Sequence, residues 1–349
     1  MAIPRVGAVI DLCHILGWLP DDSFRRSPRA TIDDLVRFHD ADYVAAVEAS
    51  SAAGAADDET RRRYGLGTDH NPVYPGLFER TTTACGGSLL GARLVRDGGI
   101  AFNPAGGTHH GRRDRARGFC YFNDLVLAIQ SLLDDGVARV LYVDFDAHHG
   151  DGVQDAFADD ERVFMISVHE GGRWPHTGSA DDRGGGNARN LAVPRGCNDS
   201  EFEFLFEAAV LPLADRFEPE AVVMIAGGDN LAGDPLARMA LSNATVWRAV
   251  AALVAMTPST LIVVGGGYNP WNVVRAWTGL WGILDGHDIP HRLPAEAETL
   301  LRSLDAARID RDSIPDAWTT TLIDAQNPGP VRGEVRGLPE RVLAPSSMD

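Results

Sequence analysis

Residues 139–154 read RVLYVDFDAHHGDGVQ and carry a dense set of side chains able to do chemistry. The run at 140–143 is apolar, β-branched and aromatic, the pattern of a strand buried on both faces. It breaks into Asp144, Asp146, His148, His149 and Asp151, interrupted by Gly150 and closed by Gly152. Side chains two apart on a strand point the same way, so Asp144, Asp146 and His148 share one face if the strand persists. A carboxylate and an imidazole at i and i+2 on a rigid strand end begin a divalent-metal site. The plainer reading is a His-rich polar loop, but charges this dense after a buried strand need a cation or partners.

Other apolar runs end in the same way. Residues 100–102 lead into NPAGGTHH, ending in His109 and His110. Residues 163–168 lead to His169 and Glu170, residues 221–225 to Asp229 after two glycines, and residues 261–264 to Tyr268 on a glycine-rich turn. On a loop, both His109 and His110 can reach one site and serve as acid and base near neutral pH. Asp144 and Asp151 are the carboxylates free to fix their tautomers. Asp146, His148 and Asp229 give three ligands with open positions for water and substrate. The oxygen-rich set suits zinc, with Fe²⁺ or Co²⁺ also admissible. Tyr268 can donate its O–H to a developing oxyanion.

Elements that must position these groups follow from periodicity. Short apolar runs at 100–102, 140–143, 163–168, 221–225 and 261–264 alternate with helical segments at 121–134, 152–158, 201–216, 243–256 and 271–284. That alternation predicts an α/β domain with a mostly parallel central sheet flanked by helices. Ligands in such sheets bind outside the carboxyl ends of the strands. Upstream, helices are expected from Ala2 to Leu19 after Pro4, from the Thr31 cap to about Ser50, and from Leu77 to Arg96. Residues 52–64 read as an exposed loop. A single catalytic domain over 1–326 and a Pro-rich tail over 327–349, wrapping the surface or partly disordered, is the simplest division.

Composition narrows the function. The chain has 349 residues, 44% hydrophobic and 23% charged, as soluble globular proteins do. It has no apolar run of the ~18 residues needed to span a bilayer and no leader pattern, so a cytoplasmic protein without a membrane partner is expected. Four scattered cysteines, with no CxxC, indicate neither disulfides nor a thiolate zinc site. A net charge of −17 argues against nucleic acid and suits a cationic substrate. All 32 basic residues are arginine, which excludes a catalytic lysine.

Taken together, NPAGGTHH (residues 103–110), GFCYFND (118–124), YVDFDAHHGDGVQ (142–154), GGDNLAGDPL (227–236) and GGGYNPW (265–271) resemble the arginase/deacetylase superfamily. The likeness is to its metal-dependent histone deacetylase family, in the bacterial acetoin-utilisation branch. RFHDADYVAAVE (37–48) and HEGGRWPHTG (169–178) extend the match over nearly the whole chain. The resemblance implies Zn²⁺ held by Asp146, His148 and Asp229. It pairs His109 with Asp144 and His110 with Asp151, and makes Tyr268 the group that polarises the scissile carbonyl. Gly118, Phe119, Trp174 and Leu236 would line an acyl-lysine tunnel, with Asp69 gripping the substrate backbone at its rim. Structural K⁺ is implied at Asp144, Asp146, His148, Ser167 and Val168, largely through backbone carbonyls. Arg5 is placed at an internal channel.

Departures from the family pattern fall at Ile225, Gly228, Val264, Thr108 and His176, around the pocket floor and rim. The expected activity is removal of an acetyl or other short acyl group from N-acylated lysine. The alternatives are an acetylpolyamine or other small N-acyl amine deacylase, and a silent acyl-lysine-binding protein. A two-metal ureohydrolase is disfavoured because Gly150 stands where that branch has a further aspartate. The oligomeric state stays open, a homo-oligomer included.

Overall fold

The computed structural model describes residues 5–306 and 309–344. Six parallel strands form its sheet: β1 (Gly99–Asn103), β2 (Val140–Asp144), β3 (Val163–Glu170), β4 (Ala188–Val193), β5 (Ala221–Ile225) and β6 (Ser259–Val263). Their order across the sheet is β1-β6-β5-β2-β3-β4. β2 lies in the middle, with Asp144 in register with Ser167 of β3 and Ile225 of β5. Alternation along each strand sends residues to two separate cores. Leu141 and Val143 join one with Val222, Met224 and Ile262, while Val140 and Tyr142 join the other with Val223, Ile225 and Val263. Both faces are therefore buried, which is why these strands read as continuous apolar runs rather than alternating ones.

Helices Leu77–Val95 and Asp124–Asp134 cover one face, and Val6–Ile15, Asn243–Val254 and Pro270–Leu284 cover the other. Among the described residues, no helix is long and apolar enough to cross a membrane.

Several expectations need correction. The helix expected from Thr31 to about Ser50 is two, Ile32–Leu35 and Ala41–Ala53. The break brings in buried His39, whose Nδ1 lies 3.0 Å from the Arg112 carbonyl while Nε2 accepts the Asn123 N–H at 2.9 Å. Residues 58–64 are helical rather than a loop, because Asp57 accepts the Thr60 N–H at 2.7 Å as an N-cap. Strand β4 at the sheet edge was not expected, since Arg189 and Asn190 interrupt its apolar run. The segment after residue 327 does not merely wrap the surface: Val335, Leu338 and Val342 enter the core, and Arg332 pairs with buried Glu201 at 2.6 Å. The first helix begins at Val6; the part of it expected over residues 2–4, and the tail over 345–349, lie outside the described residues.

Candidate active site

Strand β2 ends at Asp144, so Asp146 and His148 sit on the loop beyond it rather than on the strand. The loop stays wedged between its neighbours, with the Phe145 N–H donating to Ile225 O at 3.0 Å and the Glu170 N–H to Ala147 O at 3.0 Å. Asp229 reaches the same point from the end of β5 and accepts the Ala147 N–H at 2.9 Å. One ligand atom from each of Asp146, His148 and Asp229 lies within 4.8 Å of the others. His148 Nδ1 is 2.9 Å from Asp229 Oδ2 and 3.2 Å from Asp146 Oδ1.

Burial pushes both carboxyls up. Asp146 nonetheless ends below its ordinary range because His109 and His148 face it, whereas Asp229, facing Asp146, ends above. Two carboxylates buried together with one imidazole fit a divalent cation, which satisfies all three at once. Gly266 makes the arrangement possible. A Cβ there would stand 2.3 Å from an Asp229 oxygen and 2.5 Å from an Asp146 oxygen, and its N–H donates to Asp146 Oδ2 at 2.7 Å.

The histidine pair rides on the turn after β1. Asn123 and Asp124, at the start of helix Asp124–Asp134, hold that turn. The Asn123 amide donates to the Gly111 carbonyl at 3.0 Å, and Asp124 accepts the N–H groups of Gly107 and Thr108 at 3.0 and 2.7 Å. His109 Nδ1 lies 2.8 Å from Asp144 Oδ2, and His110 Nδ1 lies 2.7 Å from Asp151 Oδ1. Burial alone would depress His109, but Asp144 and Asp146 outweigh it and hold it up at about 9. Burial, reinforced by His109, takes His110 down to about 3 despite Asp151. Asp151 is itself held down at about 2: burial opposes this, but His110, Arg112 and Arg117 prevail.

Tyr268 precedes helix Pro270–Leu284, whose N-cap is Asn269, and its N–H donates to Asp234 Oδ2 at 2.7 Å. Arg5 braces the same glycine turn, donating from Nη1 to the carbonyls of Gly265 and Gly267 at 3.1 and 2.9 Å. A cavity of about 480 Å³ is lined by His109, His110, Gly118, Phe119, Asp146, His148, Tyr268 and Arg5. Phe119 is 38% exposed; Trp174, 37% exposed, is not among the lining residues but packs against two of them, Gly118 and His110. Trp174 packs edge-on against His110 with ring centroids 4.6 Å apart.

Not every expected residue gathers there. Leu236 is half-buried and is not among the residues lining the cavity; its carbonyl accepts from Arg173 at 2.6 Å. Asp69 is exposed on the loop whose neighbour His70 accepts the Phe119 N–H at 2.9 Å. Ser167 and Val168 end up beside Asp144 at the β2–β3 junction, and Ser167 Oγ lies 2.8 Å from His169 Nδ1. At the departures, Ile225 forms an apolar floor under Gly107 and Gly265, Thr108 bonds Asp124, and exposed His176 bonds the Gly172 carbonyl.

Four contributors escaped the sequence reading. Tyr142 donates its O–H to Asp144 Oδ2 at 2.7 Å, and its position two residues before Asp144 was the available signal. Asp124 follows an Asn-type cap before an amphipathic helix, again a visible sign. Arg112 and Arg117, which flank Asp151, sit in an arginine-rich run that gives no hint of a tertiary partner.

Residues 1–284 match the family described as the histone deacetylase domain. The chain is 37% identical over 273 residues to histone deacetylase 8 of Danio rerio, covering 76% of this chain and 72% of that one. It is 36% identical over 307 residues to the acetoin utilization protein AcuC of Bacillus subtilis (strain 168), covering 84% and 79%. The fold is similar to the crystal structure of an HDAC homolog from Aquifex aeolicus, with a TM-score of 0.93, 33% identity and coverage of 98% and 94%. A crystal structure of an HDAC homolog complexed with SAHA matches with the same TM-score, 0.93.

Proposed function

The chain belongs to the histone deacetylase family, and from that premise we propose that it hydrolyses the acetyl amide of lysine side chains on peptides or proteins. The family implies deacetylation of acetyl-lysine or related substrates. The observation that carries the finer reading is the Asp146–His148–Asp229 cluster, its ligand atoms within 4.8 Å, with Asp146 and His148 lining one cavity with the histidine pair. Half-exposed Phe119 on the cavity lining, with half-exposed Trp174 packed against His110 beside it, favours a side chain presented from another protein over a small free amine.

When held by Asp146, His148 and Asp229, a divalent cation such as Zn²⁺, Fe²⁺ or Co²⁺ supplies Lewis acidity toward a water and the amide carbonyl. Phe119 and Trp174 hold the aliphatic stem of the lysine. His110 has Nδ1 committed to Asp151, so its other nitrogen takes the proton of the attacking water. Tyr268 donates its O–H to the carbonyl oxygen, a bond that strengthens as negative charge develops there. His110 then returns the proton to the departing amine, giving acetate and free lysine. His109 faces carboxylates at both nitrogens, Asp144 at 2.8 Å and Asp146 at 3.9 Å, which favours its imidazolium and a charge-stabilising role. The register of Asp144 with Ser167 supports a structural K⁺ between β2 and β3, shared with Asp146, His148 and Val168.

Purified protein is expected to release acetate from an acetyl-lysine peptide, to stop on chelation and to recover on adding Zn²⁺, Fe²⁺ or Co²⁺. Metal-loaded protein inert toward both this peptide and acetylputrescine overturns the reading. A faster rate on acetylputrescine moves the substrate to small acylated amines.

A further inference from the structure

Gly118 and Phe119, with φ of +56° and +65°, form the centre of a tight turn closed by reciprocal N–H···O bonds of 3.0 Å between Arg117 and Cys120. Two successive left-handed residues make the type I′ pattern, which fixes the directions of the flanking side chains. Arg117 is thereby delivered between two parts of the site. Its Nε lies 3.3 Å from Asp151 Oδ2, and its guanidinium carbon lies 5.3 Å from the centre of the Trp174 ring. Trp174 in turn meets His110 edge-on at 4.6 Å, and His110 bonds Asp151 at 2.7 Å. The four side chains close a ring of contacts.

Asp151 does not need a second cation. Arg112 already donates to its Oδ2 at 2.5 Å and to its carbonyl at 3.2 Å. Arg117 Nε is buried yet makes no hydrogen bond, so its attraction to Asp151 is undirected. What Arg117 adds is the link to Trp174, a 37% exposed ring on the loop after β3. A cation over an indole face is the strongest of the cation–π pairings. Arg117 covers the ring, which meets His110 in a T-shaped contact with an interplanar angle of 76°.

We infer that Arg117 is a positioning residue that locks Trp174 against the cavity-lining residues Gly118 and His110 and couples it to the His110–Asp151 pair. Its main effect falls on substrate binding rather than on the proton transfer, because Arg112 keeps Asp151 in place when Arg117 is gone. The kinetic part of this inference rests on the acyl-lysine reading above.

The test uses R117A and R117K in the full-length, metal-loaded protein. With an acetyl-lysine peptide, R117A is expected to raise KM about fivefold and lower kcat no more than about twofold, with R117K falling between. Added guanidinium chloride at low millimolar concentration lowers the R117A KM back toward wild type, a rescue that general destabilisation does not give. A separate arm needs no turnover: the tryptophan emission lost in W174F shifts to longer wavelength in R117A and much less in R117K. Wild-type turnover with KM and the Trp174 emission both unmoved in R117A overturns this inference alone. A kcat loss with KM unmoved also overturns it, by assigning Arg117 to Asp151 instead. Wild-type protein without turnover, but with Arg117-dependent Trp174 emission, fails the acyl-lysine reading and leaves the positioning role standing.

Discussion

His109 and His110 are neighbours in the chain, and each commits Nδ1 to a buried aspartate at nearly the same distance, 2.8 and 2.7 Å. Their surroundings differ. The His109 pair faces anions: Asp144 also accepts from the Tyr142 hydroxyl, and Asp146 lies 3.9 Å from the other imidazole nitrogen. The His110 pair has no second anion: the imidazole lies against His109, their ring centroids 3.9 Å apart, and Arg112 and Arg117 approach Asp151. Burial lowers both imidazoles; Asp144 and Asp146 outweigh it and raise His109 to about 9, whereas His109 reinforces it and takes His110 down to about 3. A histidine–aspartate pair does not define a role by itself; burial and the other charges that face the imidazole decide whether it holds a proton or is free to take one.

The largest expected effect separates the pairs by rate. His110→Ala should lower kcat by about 10³-fold, within the range typical of a lost acid–base group. His109→Ala should cost at least about tenfold less, since charge stabilisation is shared with other groups. Steady-state rates at saturating peptide, with metal content measured for each variant, check this. Equal losses would break the distinction.

A second expectation concerns the pH dependence of stability in chelated protein, where the pairs have opposite signs. The folded pKa of His109 is raised from 6.5 to about 9, so its contribution is fully present below 6.5 and lost as pH rises to 9. That of His110 is lowered from 6.5 to about 3, so the unfolded chain binds the extra proton and stability falls as pH drops from 6.5 toward 3. The Tm should therefore peak near neutrality, with His109→Gln flattening the alkaline limb and His110→Gln the acid limb. Thermal melts across that range decide it, and a variant that flattens the opposite limb reverses the assignment.

The smallest effect sharpens the anionic side. Tyr142→Phe removes one hydrogen bond to Asp144 and should cost about 1 kcal/mol in denaturant unfolding, with kcat changed less than about twofold. A kcat loss matching that of His109→Ala would mean that Tyr142, not Asp144, sets the state of that histidine.

Residues that act through local pattern were legible in the sequence. Strand β5 occupies 221–225 as expected, because a run buried on both faces is apolar throughout. The candidate ligands Asp146, His148 and Asp229 were visible for the same reason, as polar breaks at the ends of such runs. Strand β4 was not visible, since Arg189 covers its neighbour Phe164 with a guanidinium 5.2 Å from the ring, and Asn190 bonds buried Gln154. Helix Asp58–Tyr64 was hidden by its charge, as a solvated face with a good cap looks like a loop.

By itself the sequence determined the strand ends, the kinds of ligand they carry and the presence of two histidines with two aspartates to serve them. Only the tertiary structure decided how near Asp229 comes to Asp146 and His148, within 4.8 Å, and that Arg112 and Arg117 fall on Asp151 rather than on solvent. It also decided that His109 and His110, adjacent in the chain, lie in opposite fields. Side-chain type and periodicity are local properties, whereas the energy of a charge depends on its distance to every other charge and on its burial, and those distances exist only once the chain has folded.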